Sequence, residues 1–222
     1  MKNETIYRIL SSIILIPLAL FFIIKGSLVF IFFISLCFLI TSYEWHMMSK
    51  KKSYNIFGFI FLIFSFYTIY KLRINSDNDY WFLLFVTIIC VSTDIGGYIF
   101  GKLFKGPKLS KISPNKTQSG MIGGFVFSLI SSLMFVLQYT DDIYVDKNLI
   151  ENDLKFVILI LLISGMSQLG DLIISYFKRS SKIKNTGNII PGHGGLLDRI
   201  DGMIFVFPFV YLITLISIII KL

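Results

Sequence analysis

Residues 80–102 read "YWFLLFVTIICVSTDIGGYIFGK". From Tyr80 to Phe100 the run carries one charged residue, Asp94, and Lys102 then marks its end. At about 1.5 Å per residue a helix of that length crosses a hydrocarbon core of about 30 Å. The reading of this stretch as a membrane span sets the fold class, because six comparable apolar runs surround it. They extend from Ile6 to Ile24, Leu28 to Trp45, Tyr54 to Tyr70, Met121 to Gln138, Leu154 to Phe177 and Met203 to Ile220. The first is too long for a secretory signal, contains Pro17 and has no small-residue cleavage site after it.

The composition agrees. The 222 residues include only 15% charged side chains, against about a quarter in soluble domains, and the mean hydropathy is +0.77. The sequence therefore predicts an all-α, polytopic integral membrane bundle of about seven helices. It forms a single transmembrane domain over residues 1–222. Residues 1–80 are expected to form N-terminal helices, and residues 81–222 the helices that carry loops at 101–120 and 178–202, where any chemistry would sit. Cys37 and Cys90 fall inside apolar spans with no metal-ligand spacing between them, so they read as small packing residues.

The net charge of +8 raises nucleic acid as a partner, but the placement of the charges points to topology instead. With a cytosolic N-terminus, fifteen of the 21 Lys and Arg residues fall inside: Lys2, Arg8, Lys50, Lys51, Lys52, Lys102, Lys105, Lys108, Lys111, Lys116, Lys178, Arg179, Lys182, Lys184 and Arg199. The outside retains Lys25, Lys71, Arg73, Lys147, Lys155 and Lys221, together with an acidic connector from Thr140 to Asp153. That bias is the positive-inside asymmetry. The 23 phenylalanines and 11 tyrosines spread through the spans and read as lipid-facing or core bulk, and no nucleic-acid partner is expected.

Two cytosolic loops are long and rich in turn formers. One is "GKLFKGPKLSKISPNKTQSG" (101–120); the other is "KRSSKIKNTGNIIPGHGGLLDRIDG" (178–202). Each follows an acid inside an apolar span, where a carboxylate costs about 2.5–3.5 kcal/mol on insertion scales. Asp94 lies eight residues before Lys102 and Asp171 seven before Lys178, or about 12 and 10 Å at helical rise. Asp171, Ser175 and Lys178 share one helix face by their spacing. Asp198 and Asp201 stand three apart where the last span begins.

Two readings of these acids stand side by side. Each pairs with a neighbouring base, as Asp198 with Lys184, and ties helices together; or Asp171, Asp198 and Asp201 gather round a hard cation, Mg²⁺ first. Gly192, Gly194 and Gly195, with Gly187 and Gly202, suit either a tight re-entrant turn or a close backbone approach to phosphate. His193 reads as a hydrogen-bonding strut of that turn or as a stabiliser of phosphate charge. Ser113, Lys116 and Thr117 of "SPNKT" offer a lysine and two hydroxyls suited to a phosphate.

The segment "SYFKRSSKIKNTGNIIPGHGGLLDRID", Ser175 to Asp201, resembles the signature of the phosphatidate cytidylyltransferase (CDP-diacylglycerol synthase) family. A second block, "STDIGGYIFGKLFKGPKLSKISPNKT", Ser92 to Thr117, also looks like that family, whereas the first 80 residues resemble it only as generic spans. Seven spans are also fewer than many bacterial members have. The sequence departs from the family at Ile174 and Ser119, where an acid is common, and at Asn185, where Asp is common.

The resemblance implies transfer of a cytidylyl group from CTP to phosphatidic acid, giving CDP-diacylglycerol and pyrophosphate. It implies Mg²⁺ held by Asp171 and Asp198, with Asp201 third. Lys178, Arg179, Lys184 and Arg199 would bind phosphates, with His193, Ser175, Ser113, Lys116, Thr117, Gly192, Gly194 and Gly195 shaping the substrate pocket. Asp94 would bind a second cation or fix its helix. Membrane lipids surround such a protein, and a homodimer is the assembly the resemblance raises. A CTP-dependent lipid kinase and a cation-coupled transporter are the rival readings.

Overall fold

A computed structural model describes residues 2–74, 80–110, 112–114, 116–139 and 153–220; within these, side chains are described from Ser11 to Ile216, those of Ser12, Tyr139 and Asp153 excepted. The connector 140–152, Lys111, Asn115, Lys221 and the side chains of Lys2 and Arg8 thus lie outside the description. Within it the chain is helical: α1 (Lys2–Lys25), α2 (Ser27–Ser49), α3 (Asn55–Ile74), α4 (Tyr80–Phe104), α5 (Gln118–Tyr139), α6 (Asp153–Ser180), the short α7 (Leu197–Ile200) and α8 (Met203–Ile220). The seven long helices coincide with the seven apolar runs. Five are long and apolar enough to cross a membrane, and α1 and α8 contribute the shorter apolar stretches Ile13–Lys25 and Met203–Ile216.

The outward faces are apolar, with Leu28, Phe57, Ile56, Met134 and Leu137 among the most exposed side chains. In water such a surface would aggregate; in a bilayer it is the solvated one. Packing between helices therefore rests on close fit and on polar contacts. α4 and α5 show this most clearly. A Cβ on Gly123 would lie 2.8 Å from the Gly96 carbonyl oxygen and collide with Phe100, and one on Gly120 would lie 2.7 Å from the Gly97 carbonyl oxygen. Small residues let these two backbones touch.

Hydroxyls add to this packing: Ser131 Oγ donates to Ser92 Oγ across the seam at 2.7 Å, and Thr93 Oγ1 ties α4 to α6 by donating to Ser164 Oγ at 2.8 Å. Gly123→Ala should destabilise the protein by about 1–3 kcal/mol through overpacking, read as a lower thermal unfolding temperature in detergent. A variant melting with the wild type would contradict the tight α4/α5 contact.

Two apolar clusters fill the interior. The larger joins Phe85, Val86 and Ile89 of α4 to Phe135 of α5, Ile160 of α6 and Val206 of α8. The smaller joins Trp45 of α2, Leu62 of α3, Ile174 of α6, Leu197 of α7 and Ile204 of α8. At the end away from the two polar loops, Arg73 of α3 is buried and donates from Nε to the Ile23 carbonyl at 3.0 Å. A cation there satisfies carbonyls at the C-terminal end of α1. Gly26 follows at φ +62, where a side chain would collide with the Arg73 guanidinium.

At the opposite end the C-terminal halves of α2, α4 and α6 meet the N-terminal ends of α3, α5 and α8. Trp45 Nε1 donates to the Asn55 carbonyl at 3.0 Å, and its ring packs edge-on against Phe177. Both polar loops emerge at this end. Each is pinned by one isolated antiparallel bridge, Lys108 with Thr117 and Ile190 with Gly194.

Candidate active site

α6 runs past its apolar stretch to Ser180, so Asp171, Ser175 and Lys178 lie on one continuous helical face, as their spacing predicts. Ser175 Oγ donates to Asp171 Oδ1 at 3.3 Å. The other oxygen of Asp171 pairs with Lys116, which reaches across from the first loop. Deeper in, Lys178 is buried and bridges two acids: its Nζ stands 2.9 Å from Asp198 Oδ1 and 3.7 Å from Asp201 Oδ2. The bridge joins the end of α6 to the start of α8.

Close backbone approach makes this possible. A Cβ on Gly170 would lie 3.0 Å from the Asp201 carbonyl oxygen, so the residue before Asp171 packs directly on the turn that carries Asp201. Burial, followed by the charge of Asp171, pushes the Asp201 carboxyl well above the ordinary carboxylate range, and Lys178 opposes the shift. Asp94 of α4 lies within electrostatic range of Asp171, Lys116 and Arg199. Four acids from three helices and a turn thus share one basic surround.

The second loop is held from inside. Asp198 Oδ2 accepts from the Thr186 amide at 2.8 Å and from the Gly195 amide at 3.1 Å. Gly194, at φ +93, donates its amide to the Ile190 carbonyl at 3.1 Å. Arg199 donates from Nε and Nη2 to the His193 carbonyl at 3.2 and 2.7 Å. His193 Nδ1 lies 2.7 Å from Ser11 Oγ of α1. Arg179 donates to the Ile183 carbonyl at 3.1 Å, while Lys184 is exposed and Gly192 takes its place in the turn at φ +75.

In the first loop Thr117 caps α5, its Oγ1 accepting from the Gly120 amide at 3.1 Å. The Ser113 carbonyl accepts from the Lys116 amide at 3.0 Å. Between this loop and the end of α6 opens a cleft of about 530 Å³, lined by Ile112, Pro114, Tyr176, Arg179 and Ser180.

This arrangement bears on three expectations. Asp198 pairs with Lys178 rather than Lys184, because the Thr186–Gly195 turn folds its carboxylate inward. The Gly194 and Gly195 amides are engaged within the protein, so the glycines serve the turn before they serve any anion. Among the described residues no three acid, histidine or cysteine side chains converge as one ligand set, since Lys116 and Lys178 stand against the carboxylates. Mg²⁺ nevertheless binds commonly through one or two carboxylates plus substrate phosphates and water. The hard-oxygen donors Asp171 and Asp201 fit that mode.

Sequence reasoning missed Glu44. It sits on α2, 1% exposed. Its Oε1 accepts from the Leu196 amide at 2.9 Å, and its Oε2 accepts from the Leu197 amide at 2.8 Å and from Thr186 Oγ1 at 3.0 Å. The signal was present: Glu44 is an acid inside an apolar run, the same criterion that singled out Asp94 and Asp171.

A profile of the cytidylyltransferase family matches residues 56–217, which include both loops and every charged group of the cluster except Glu44. The chain belongs to the cytidylyltransferase family. Among similar members, the phosphatidate cytidylyltransferase of Rickettsia bellii (strain RML369-C) is 34% identical over 216 residues, covering 96% of this chain and 92% of the relative. That of Staphylococcus haemolyticus (strain JCSC1435) is 42% identical over 135 residues, 60% of this chain and 48% of the relative. That of Bacillus subtilis (strain 168) is 36% identical over 148 residues, 64% and 51%.

The likeness to the Rickettsia protein therefore reaches into the N-terminal helices, which the sequence alone had left generic. This cytidylyltransferase-family chain is a nucleotidyltransferase, and neither a lipid kinase nor a transporter is favoured.

Proposed function

We propose that this chain transfers the cytidylyl group of CTP to phosphatidic acid, forming CDP-diacylglycerol and releasing pyrophosphate. The observation that carries the reading is that Lys116 and Lys178, one from each polar loop, pair with Asp171 and with Asp198 and Asp201 at one end of a membrane bundle. An oxygen of the lipid phosphate attacks the α-phosphorus of CTP, the bond from that phosphorus to the bridging oxygen breaks, and pyrophosphate leaves. Such a transfer needs in-line positioning and charge neutralisation more than a covalent nucleophile.

The residues divide that work. Lys116 and Asp171 form a pair whose side chains are each 26% exposed, so an incoming phosphate can draw the Lys116 ammonium away from its carboxylate. Lys178 is enclosed and keeps Asp198 and Asp201 in register. Arg179 borders the cleft beside the first loop, which has room for a nucleotide, and Arg199 braces the turn. Mg²⁺ would be held by Asp171 and Asp201 and would offset phosphate charge. Asp198 serves in this division as the anchor of the turn rather than as a ligand.

The charge bias supports a cytosolic setting for this end of the bundle, where CTP is, and the bacterial relatives support the inner membrane, with phosphatidic acid entering from its inner leaflet. A homodimer rests on the family resemblance alone. The purified chain should release pyrophosphate from CTP only when phosphatidic acid is added. Release of CDP with a lipid alcohol, or no turnover with either lipid, would refute the assignment.

A further inference from the structure

Glu44 belongs to neither loop, yet three of its contacts are to the second one. Gly195, Leu196 and Leu197 present three consecutive amides. The first goes to Asp198 and the next two to Glu44. Thr186 is shared between the same two acids, its amide on Asp198 and its hydroxyl on Glu44. The two carboxylates therefore clamp both strands of the turn, one from within it and one from α2.

The glycines fit round this clamp. A Cβ on Gly187 would lie 2.8 Å from Glu44 Oε1, and one on Gly195 would lie 2.5 Å from Glu44 Oε2 and collide with Thr186 Oγ1. These two glycines are small because Glu44 occupies the space. A carboxylate in an apolar span is expensive and marks function more often than packing. This one has acceptors only, matched to donors only. Glutamine would turn an NH₂ toward an N–H or O–H donor.

We propose that Glu44 is a positioning residue for nucleotide transfer: from α2 it fixes the 186–197 turn, and through Asp198 it fixes where Lys178 presents its charge. The chain of contacts is Glu44 to Thr186, Thr186 to Asp198, Asp198 to Lys178. It rests on the reading that this turn belongs to the CTP site. Its effect falls on CTP rather than on the lipid, because every link beyond Glu44 lies within residues 178–202 and none in the apolar surface.

The test compares wild type, Glu44→Gln and Thr186→Val as purified full-length protein in detergent with phosphatidic acid and Mg²⁺, by steady-state kinetics, CTP affinity and thermal unfolding. Misplacement of reacting groups by about 1 Å lowers rates by about 10²-fold. Glu44→Gln should reduce kcat/KM for CTP by that order, leave KM for phosphatidic acid unchanged, and show more rapid hydrogen exchange at the Leu196 and Leu197 amides. Thr186→Val should shift the same parameter in the same direction by less.

A Glu44→Gln protein that melts earlier but keeps wild-type kcat and KM for CTP would overturn the proposal and leave Glu44 a packing anchor. If Glu44→Gln fails to fold, Thr186→Val decides by the same criterion. A wild-type chain without turnover would refute the transfer reading separately, and the Glu44 proposal would then stand or fall on whether Glu44→Gln weakens CTP binding.

Discussion

Asp198→Asn should lower kcat/KM for CTP by about three orders of magnitude while the protein still inserts in the membrane. The carboxylate meets Lys178 on one oxygen and two backbone amides on the other. Asparagine has one acceptor oxygen and one NH₂. In one rotamer its NH₂ faces the Lys178 ammonium; in the other it faces the Thr186 and Gly195 amides. Either rotamer removes the charge that pairs with the enclosed Lys178, and breaking a buried ion pair costs about 3–5 kcal/mol, or about 10³-fold at 1.4 kcal/mol per decade. Transfer assays on membranes with matched protein content check the rate. Wild-type kinetics in this variant would remove Asp198 from the site.

Lys178→Met should have the largest effect on folding. Lys178 and both its partners are largely enclosed, with side-chain exposures of 10% for Lys178, 6% for Asp198 and 11% for Asp201. Removing the ammonium leaves two acids facing each other without a counter-ion, and breaking a buried pair in this way destabilises by about 3–5 kcal/mol. Pairing it with Asp198→Asn should recover part of the melting temperature, since one uncompensated charge is gone, but none of the activity. If Lys178→Met melts like the wild type, the bridge between α6 and the start of α8 does not stabilise the fold.

The fold was readable because membrane spans announce themselves in one dimension. Each apolar run became a helix, whereas the close α4/α5 seam was not read from the sequence, because glycines on two different helices do not announce that they meet. Helix ends were less readable. Apolarity in α6 stops at Phe177, but backbone hydrogen bonding continues to Ser180, and that extra turn carries Lys178 and Arg179.

The site was legible as a collection of residues and illegible as pairs. Asp171 with Lys116 joins positions 55 apart in sequence, and Asp198 with Lys178 joins positions 20 apart; periodicity within one helix cannot reveal either. Glu44 lay in an N-terminal half read as scaffold, and it is 142 to 153 residues from its partners. Only the folded bundle brings α2 beneath the turn.

The most direct measurement follows the label on CTP. Purified chain, phosphatidic acid, Mg²⁺ and CTP labelled at the α-phosphate should yield a labelled lipid, and CTP labelled at the γ-phosphate should yield labelled pyrophosphate alone. Lipid labelled from the γ position, or lipid left unlabelled by both, would contradict the account.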